Sequence, residues 1–224
     1  MKLTVLYSST EHPVYPWLVR WQKAHKDVHD IELVSSTRDV SGGEILFLIS
    51  FHEIVSVAVR ERYSKTLVVH ASDLPHGRGW SPHIWQILKG SNDITVTLLE
   101  AEDKIDSGAI WRKECMQLEG HELVDEINEK LFNIELGLMD FAVDNCSSIT
   151  PQYQADSQAS YYSKRLPCDS RLNPYKTIAE QFELLRVSDP RRFPAFIDYR
   201  GYRYKLTIEK IDKIEDRSNK GASE

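Results

Sequence analysis

Two short runs constrain this chain more than any others: residues 45–50 (ILFLIS) and residues 66–69 (TLVV). Each is apolar at nearly every position, so neither face can meet water. Strands buried on both faces belong to a parallel sheet covered by helices on two sides. The second run is β-branched at three of its four positions, which suits a pleated, buried surface. A loop follows, residues 70–79 (HASDLPHGRG), with Pro75, Gly77 and Gly79 as breakers. Ser81-Pro82 then predicts a helix start, with Ser81 as N-cap and Pro82 at the first helical position, where its missing N–H costs nothing. Gly90 closes that helix. His70 therefore stands at the carboxyl end of a buried strand, facing a glycine loop, where open α/β sheets place their ligands.

A further strand, residues 94–99 (ITVTLL), leads through Glu100, Ala101, Glu102, Asp103 and Lys104 into a loop that carries Asp106. If the two strands are neighbours in one sheet, His70 and Asp106 meet across the crevice. Upstream, residues 2–7 read as a first strand, and Trp17, Leu18, Trp21 and Ala24 recur at helical spacing over 15–26. Residues 31–34 make a brief second strand. The first strand–helix turn lacks the G-x-G-x-x-G of dinucleotide-binding folds, which removes the main support for that reading. Residues 109–118 read as a strand returning along the sheet edge. Leu123, Ile127, Leu131, Ile134, Leu138 and Phe141 mark a long amphipathic helix over 121–146, its stripe assigned to the core. The expectation is an α/β fold, a Rossmann-like and mostly parallel sheet with helices on both faces, over residues 1–149.

Residues 150–160 are polar and turn-rich and read as a linker. A small C-terminal unit over 150–211 follows. Thr177 to Glu180 forms a capping box that opens a helix through Val187. Residues 193–199 and 202–210 alternate around Arg200-Gly201, as a hairpin does. From Asp212 onward the chain is charged and aperiodic and reads as a flexible tail.

Composition narrows the function. A net charge of −6 argues against a general nucleic-acid or membrane-surface binder. No apolar run approaches the roughly 20 residues a membrane span needs, and the N-terminus runs into a strand without signal-peptide anatomy. Cys115, Cys146 and Cys168 have no metal-ligand spacing and fit reduced thiols in a cytoplasm. A catalytic thiol is the sharper reading, but no base is placed beside any of them. No metal is expected.

The segment HASDLPHGRGWSP, followed after a short helix by VTLLEAEDKIDSG, resembles the folate-dependent formyltransferases. That family includes methionyl-tRNA, glycinamide ribonucleotide and sugar N-formyltransferases. Its pattern is N-x-H-x-S-x-L-P-x-x-R-G followed by a D-x-G aspartate, and the match is good over residues 46–111. The resemblance implies 10-formyltetrahydrofolate as formyl donor. It places folate contacts at Ser50, Phe51, His52, Ile54, Glu100, Ala101, Asp103 and Lys104. Phe51 and Ile54 read equally as core caps, and His52 by itself as a surface histidine. One position departs from the pattern. The family asparagine two residues before the histidine is Val68 here, which donates no hydrogen bond. Either another donor replaces it (Ser72, a loop N–H over 73–77, or His76), or the site binds folate without turnover.

Formyl transfer to an amine needs an unprotonated nucleophile, a stabilised carbonyl oxygen and a route for a proton. An imidazole titrating near pH 6.5 in model compounds suits oxyanion stabilisation and proton transfer, which the resemblance assigns to His70. A carboxylate in reach orients that ring and takes the amine's proton, the role assigned to Asp106.

The acceptor is expected to contact Ser72, Arg78, Gly79 and Trp80. Arg78 reads equally as a phosphate ligand beside a helix start or as a structural arginine pinning its loop. Residues 161–172 (YYSKRLPCDSRL) resemble the segment after the catalytic domain in tRNA and sugar formyltransferases, so Lys164, Arg165 and Arg171 become candidate phosphate contacts; a solvated charged face is the alternative. The chain lacks the length and basic charge of the tRNA enzymes' C-terminal domain. The expected acceptor is therefore a UDP- or dTDP-linked amino deoxysugar in a cytoplasmic enzyme. A formyltetrahydrofolate hydrolase and a non-catalytic folate-binding module are the alternatives. Tyr202, Tyr204, Leu206 and Ile208 offer a face for a homodimer.

Overall fold

The computed structural model describes residues 1–155 and 158–214. Six strands form the main sheet: β1 (Lys2–Tyr7), β2 (Asp30–Val34), β3 (Gly43–Ile49), β4 (Tyr63–His70), β6 (Asp93–Glu100) and β7 (Ile110–Gln117). Their order is β2-β1-β3-β4-β6-β7. The first four are parallel, β6 runs antiparallel to β4, and β7 antiparallel to β6. The two apolar runs sit side by side at the centre, with Leu48 registered on Val68.

Alternation within β1 and β3 separates two cores. Leu3, Val5, Ile45, Phe47 and Ile49 face α1 (Tyr15–His25), α3 (Pro82–Leu88) and the long α4 (Val124–Asn145). Leu6, Leu46 and Leu48 face the other way, with Val40, Val55 and Tyr63, beneath the single turn α2 (Val57–Arg60). Both sets are shielded from water, as a parallel sheet requires. The edge strand β7 instead buries only Trp111 and Met116 and exposes Arg112, Lys113, Cys115 and Gln117. The fold is the mixed α/β class expected.

The start of α3 differs in detail. Pro82 is its first residue, but Ser81 takes a left-handed conformation (φ 47°) and its hydroxyl caps nothing. It serves as a corner that turns the chain out of the preceding strand. The expected linker differs more. Gln152 exchanges both backbone hydrogen bonds with Ile110 at 2.7 and 2.8 Å, so this segment is docked on the sheet edge.

The remaining elements are β5 (Arg78–Gly79), β8 (Tyr161–Tyr162), α5 (Phe182–Arg186), β9 (Ala195–Tyr199) and β10 (Tyr202–Leu206). The capping box forms, Glu180 accepting from Thr177 N–H and its own N–H donating to Thr177 Oγ1, but it opens a 3-10 turn before α5. β9 and β10 form the hairpin, with Arg200 and Gly201 both at positive φ in its turn. On β10, Tyr202 and Tyr204 are exposed, whereas Leu206 packs, with Ile208 beyond the strand, on Leu172, Leu185 and Ala195. Most of the expected tail, residues 215–224, lies outside the described residues.

Glu122 joins the turn before α4 to the C-terminal elements. Its buried carboxylate accepts from Lys130 and from the N–H groups of Glu119 and Gly120, and lies 3.9 Å from the fully buried Arg186. Burial by itself would raise this acid. Lys130 and the backbone donors outweigh it and hold the carboxyl at about 2. Glu122→Gln should therefore cost about 3 kcal/mol in denaturant unfolding at pH 7, the scale for breaking a buried pair. In the wild type this contribution is present above pH 4.5 and is lost as pH falls toward 2, whereas the variant should show less acid sensitivity.

Candidate active site

His70 ends β4, and Asp106 lies in the loop between β6 and β7. Because β4 and β6 are neighbours, that loop folds over the His70 end of the sheet. His70 Nδ1 lies 3.6 Å from Asp106 Oδ2, with the two side chains 7 % and 10 % exposed. His70 Nε2 is 2.9 Å from the carbonyl of Gly77. Both ring nitrogens thus face oxygen acceptors, and the imidazole can donate to both only while each nitrogen carries a proton.

Asp106 is held by hydrogen bonds at two points, its side chain and its carbonyl. It adopts a positive φ of 51°, a conformation that non-glycine residues rarely take. Its Oδ2 accepts the Gly79 N–H at 2.8 Å. Its carbonyl, with that of Gly108, accepts from Gln154 Nε2 at 3.0 and 2.7 Å. Gly79 can present its N–H this way because it has no side chain. Its φ is 101°, and a Cβ there would stand 2.4 Å from the carbonyl oxygen of Tyr162. β5 and β8 pair in parallel at this point, so the glycine loop is clamped by the Tyr161-Tyr162 segment.

The pair lines a cavity of about 470 Å³. Of the expected folate contacts, Ser50, Phe51, His52, Ile54, Glu100 and Ala101 line it. Asp103 and Lys104 do not; both are exposed, and Asp103 pairs with Arg60. Of the expected acceptor contacts, Gly79, Trp80 and Arg165 line the cavity. Ser72 is buried off it, and Lys164 is exposed off it. Arg171 does not line it and sits at the hairpin, 3.4 Å from Asp198.

Arg78 overturns the phosphate-ligand expectation. It is wholly buried and donates to Gln154 Oε1 at 2.8 Å and to Tyr161 Oη at 3.3 Å. Its guanidinium joins the docked segment to the glycine loop and does not reach the cavity. Val68 does line the cavity. The substitutes considered for its missing donor do not: Ser72 and His76 lie off the cavity wall, and the N–H groups of Leu74, His76 and Gly77 are already bonded.

Several lining residues carried no signal that pattern reading could use. His12, from the β1–α1 turn, and His83, on α3, are neighbours in the wall. Burial, reinforced by Arg192, His52 and His83, pushes His12 down to about 3. Burial with His70 and Arg165 nearby pushes His83 down to about 4. Both rings are neutral at physiological pH. Asp189, Arg192 and Phe193 reach the cavity from beyond α5. Arg165 is 6 % exposed and lies 5.3 Å over the Phe193 ring. It donates one bond to Ser170, and its Nε has no partner among the described residues. Glu135 is different: it lies on the buried face of α4 with Leu131 and Leu138, whereas the apolar stripe read from the sequence passes through Ile134 and leaves Glu135 out.

The formyl transferase family model matches residues 1–141, which include every strand of the main sheet and both partners of the central pair. The chain belongs to the formyl transferase family. Among curated relatives, the methionyl-tRNA formyltransferase of Rickettsia prowazekii (strain Madrid E) is 28% identical over 136 residues, covering 60% of this chain and 45% of that protein. The chain thus spans about half the length of the curated relatives it matches. Solved formyltransferases share the fold more completely than the sequence. A methionyl-tRNA formyltransferase from Clostridium thermocellum superposes with a TM-score of 0.80 at 19% identity, covering 95% of this chain and 94% of that one. A sugar N-formyltransferase from Shewanella sp FDAARGOS_354 gives 0.70 at 15% identity, covering 95% and 99%. Among the described residues no group of side chains is arranged to hold a metal ion, and no helix is long and apolar enough to cross a membrane.

Burial raises the Glu135 carboxyl from its ordinary 4.5 to about 8. The folded protein keeps this group protonated while the unfolded chain ionises it. Its contribution to stability is therefore full below pH 4.5 and is lost as pH rises toward 8. His12 and His83 act oppositely, weakening the fold as pH falls below 6.5. Melting temperatures across pH 4.5–9 should decline less steeply on the alkaline side in Glu135→Gln than in the wild type.

Proposed function

We propose that this protein transfers a formyl group from 10-formyltetrahydrofolate to the amine of a UDP- or dTDP-linked amino deoxysugar. The observation that carries the reading is the meeting of His70 and Asp106, from separate loops, at 3.6 Å on the wall of one cavity. The cavity suits the donor's flat, partly apolar ring system. Leu48, Phe51, Val55, Val68 and Ile105 supply apolar wall, with Ser50 and Glu100 as polar partners. When bound, the folate supplies an activated formyl group.

The residues then have distinct tasks. Asp106, fixed by Gly79 and Gln154, accepts the proton that the acceptor amine loses as its nitrogen bonds to the formyl carbon. His70 donates to the carbonyl oxygen as that oxygen gains charge, and relays a proton to the folate nitrogen as the old carbon–nitrogen bond breaks. Gly77's carbonyl holds the ring through Nε2, and Nδ1, 3.6 Å from the Asp106 carboxylate and so not hydrogen-bonded to it, is the nitrogen left for both steps.

Arg165 and Arg192 support the anionic acceptor. Arg165 reaches the cavity wall with an unpartnered Nε, and a diphosphate is a strong acceptor for such a guanidinium. A sugar N-formyltransferase shares this fold over nearly its whole length, as a methionyl-tRNA formyltransferase does, so the fold admits this acceptor. We propose that residues 1–149 form the catalytic unit and 150–211 an acceptor-side extension, acting in the cytoplasm.

Purified protein incubated with 10-formyltetrahydrofolate and a panel of UDP- and dTDP-linked amino deoxysugars should yield an N-formyl product by mass spectrometry. His70→Ala and Asp106→Asn should each lower the rate by about 100-fold or more. Absence of product across the panel would remove the reading, and formate release at the same rate without acceptor would replace transfer by hydrolysis.

A further inference from the structure

One cavity group has no task in the chemistry above. Val124, Asn128, Leu131, Phe132 and Glu135 present one face of α4 to the cavity. Glu135 is 6 % exposed, and its Oε2 has no hydrogen-bond partner among the described residues. An unpaired buried carboxyl costs the fold stability. Its neighbours on the buried face of the helix are Leu131 and Leu138, and a leucine would continue that pattern at lower cost. A destabilising polar group on a cavity wall is accounted for by a ligand that completes its bonding.

The surroundings indicate which part of a ligand. Glu135 is neutral at physiological pH because burial holds its proton on, and in that form it both donates and accepts. Three other groups of the cavity lining are uncharged. His12, whose ring centroid is 6.3 Å from that of Phe132, and His83 are neutral imidazoles, and Asn128 is an amide. The cations of the cavity, Arg165 and Arg192, come from the C-terminal segment. An acceptor that joins a diphosphate to a hydroxyl-bearing ring has a charged part for these guanidiniums, which act on His12 and His83, and an uncharged part for Glu135.

We infer that Glu135 is a specificity-determining residue that hydrogen-bonds an uncharged hydroxyl or amine on the sugar ring of the acceptor. This rests on the nucleotide-sugar reading above and adds to it the surface that recognises the sugar.

Calorimetric binding of UDP- and dTDP-linked amino deoxysugars, and of UDP and dTDP alone, to the wild type, Glu135→Gln and Glu135→Leu tests it. Leucine should weaken the sugar nucleotides about tenfold or more, the scale of one lost polar contact to a ligand. The free nucleotides should bind all three proteins alike. Glutamine, neutral and still able to donate and accept, should stay within about threefold of the wild type. The leucine variant should also melt above the wild type, since it removes an unpaired polar group from the interior. Equal sugar-nucleotide affinity in the leucine variant would overturn the role of Glu135 and leave the acceptor reading intact. An equal loss for free and sugar-linked nucleotide, or a lower melting temperature in both variants, would make Glu135 structural and overturn the proposal as well. A wild type that binds none of the sugar nucleotides would overturn both.

Discussion

The hydrogen bond from the Gly79 N–H to the Asp106 carboxylate holds this site together. Asp106 sits in a loop, at a backbone conformation that few aspartates adopt, and would have no reason to point at His70 without a fixed donor beside it. That donor exists because Gly79 carries no side chain and can lie against the backbone of Tyr162. A carboxylate that accepts a backbone N–H is oriented at little entropic cost, because one of the partners is already part of a paired strand. Replacing the glycine would remove both the close approach and the donor's position.

The Tyr161-Tyr162 strand therefore bears on the His70–Asp106 pair through Gly79. Gln154 acts in the same way. Its amide bonds to the carbonyls of Asp106 and Gly108, and its oxygen accepts from the buried Arg78. A segment with the composition of a linker thus closes a network running from the glycine loop to the aspartate loop. Buried polar networks of this kind are favourable when their members are satisfied, and they rigidify what they connect. Arg78 belongs to that framework.

The cavity itself divides by charge. Desolvation lowers His12 and His83 and raises Glu135, so three titratable groups in its wall carry no charge at physiological pH. Arg165 keeps its charge and lacks a partner for Nε. Under the proposed function, this guanidinium would meet the anionic part of the acceptor and the neutral groups its uncharged part.

The sequence by itself determined the sheet, the long helix and the hairpin, and put His70 and Asp106 each just past a strand end; that they meet followed from β4 and β6 being neighbours. Apolar runs and periodicity report burial directly, and two linked loop motifs narrow the chemistry to the resembled family. The tertiary structure alone decided what surrounds that pair. Whether Arg78 faces a ligand or the interior, whether residues 150–155 hang free or clamp a loop, and which walls His12, His83 and Arg192 share all depend on contacts between segments far apart in the chain. Glu135 belongs with these cases. The apolar stripe read from the sequence passes through Ile134 and leaves it out, and only the packing of α4 against the sheet and the C-terminal segment puts it on the cavity wall.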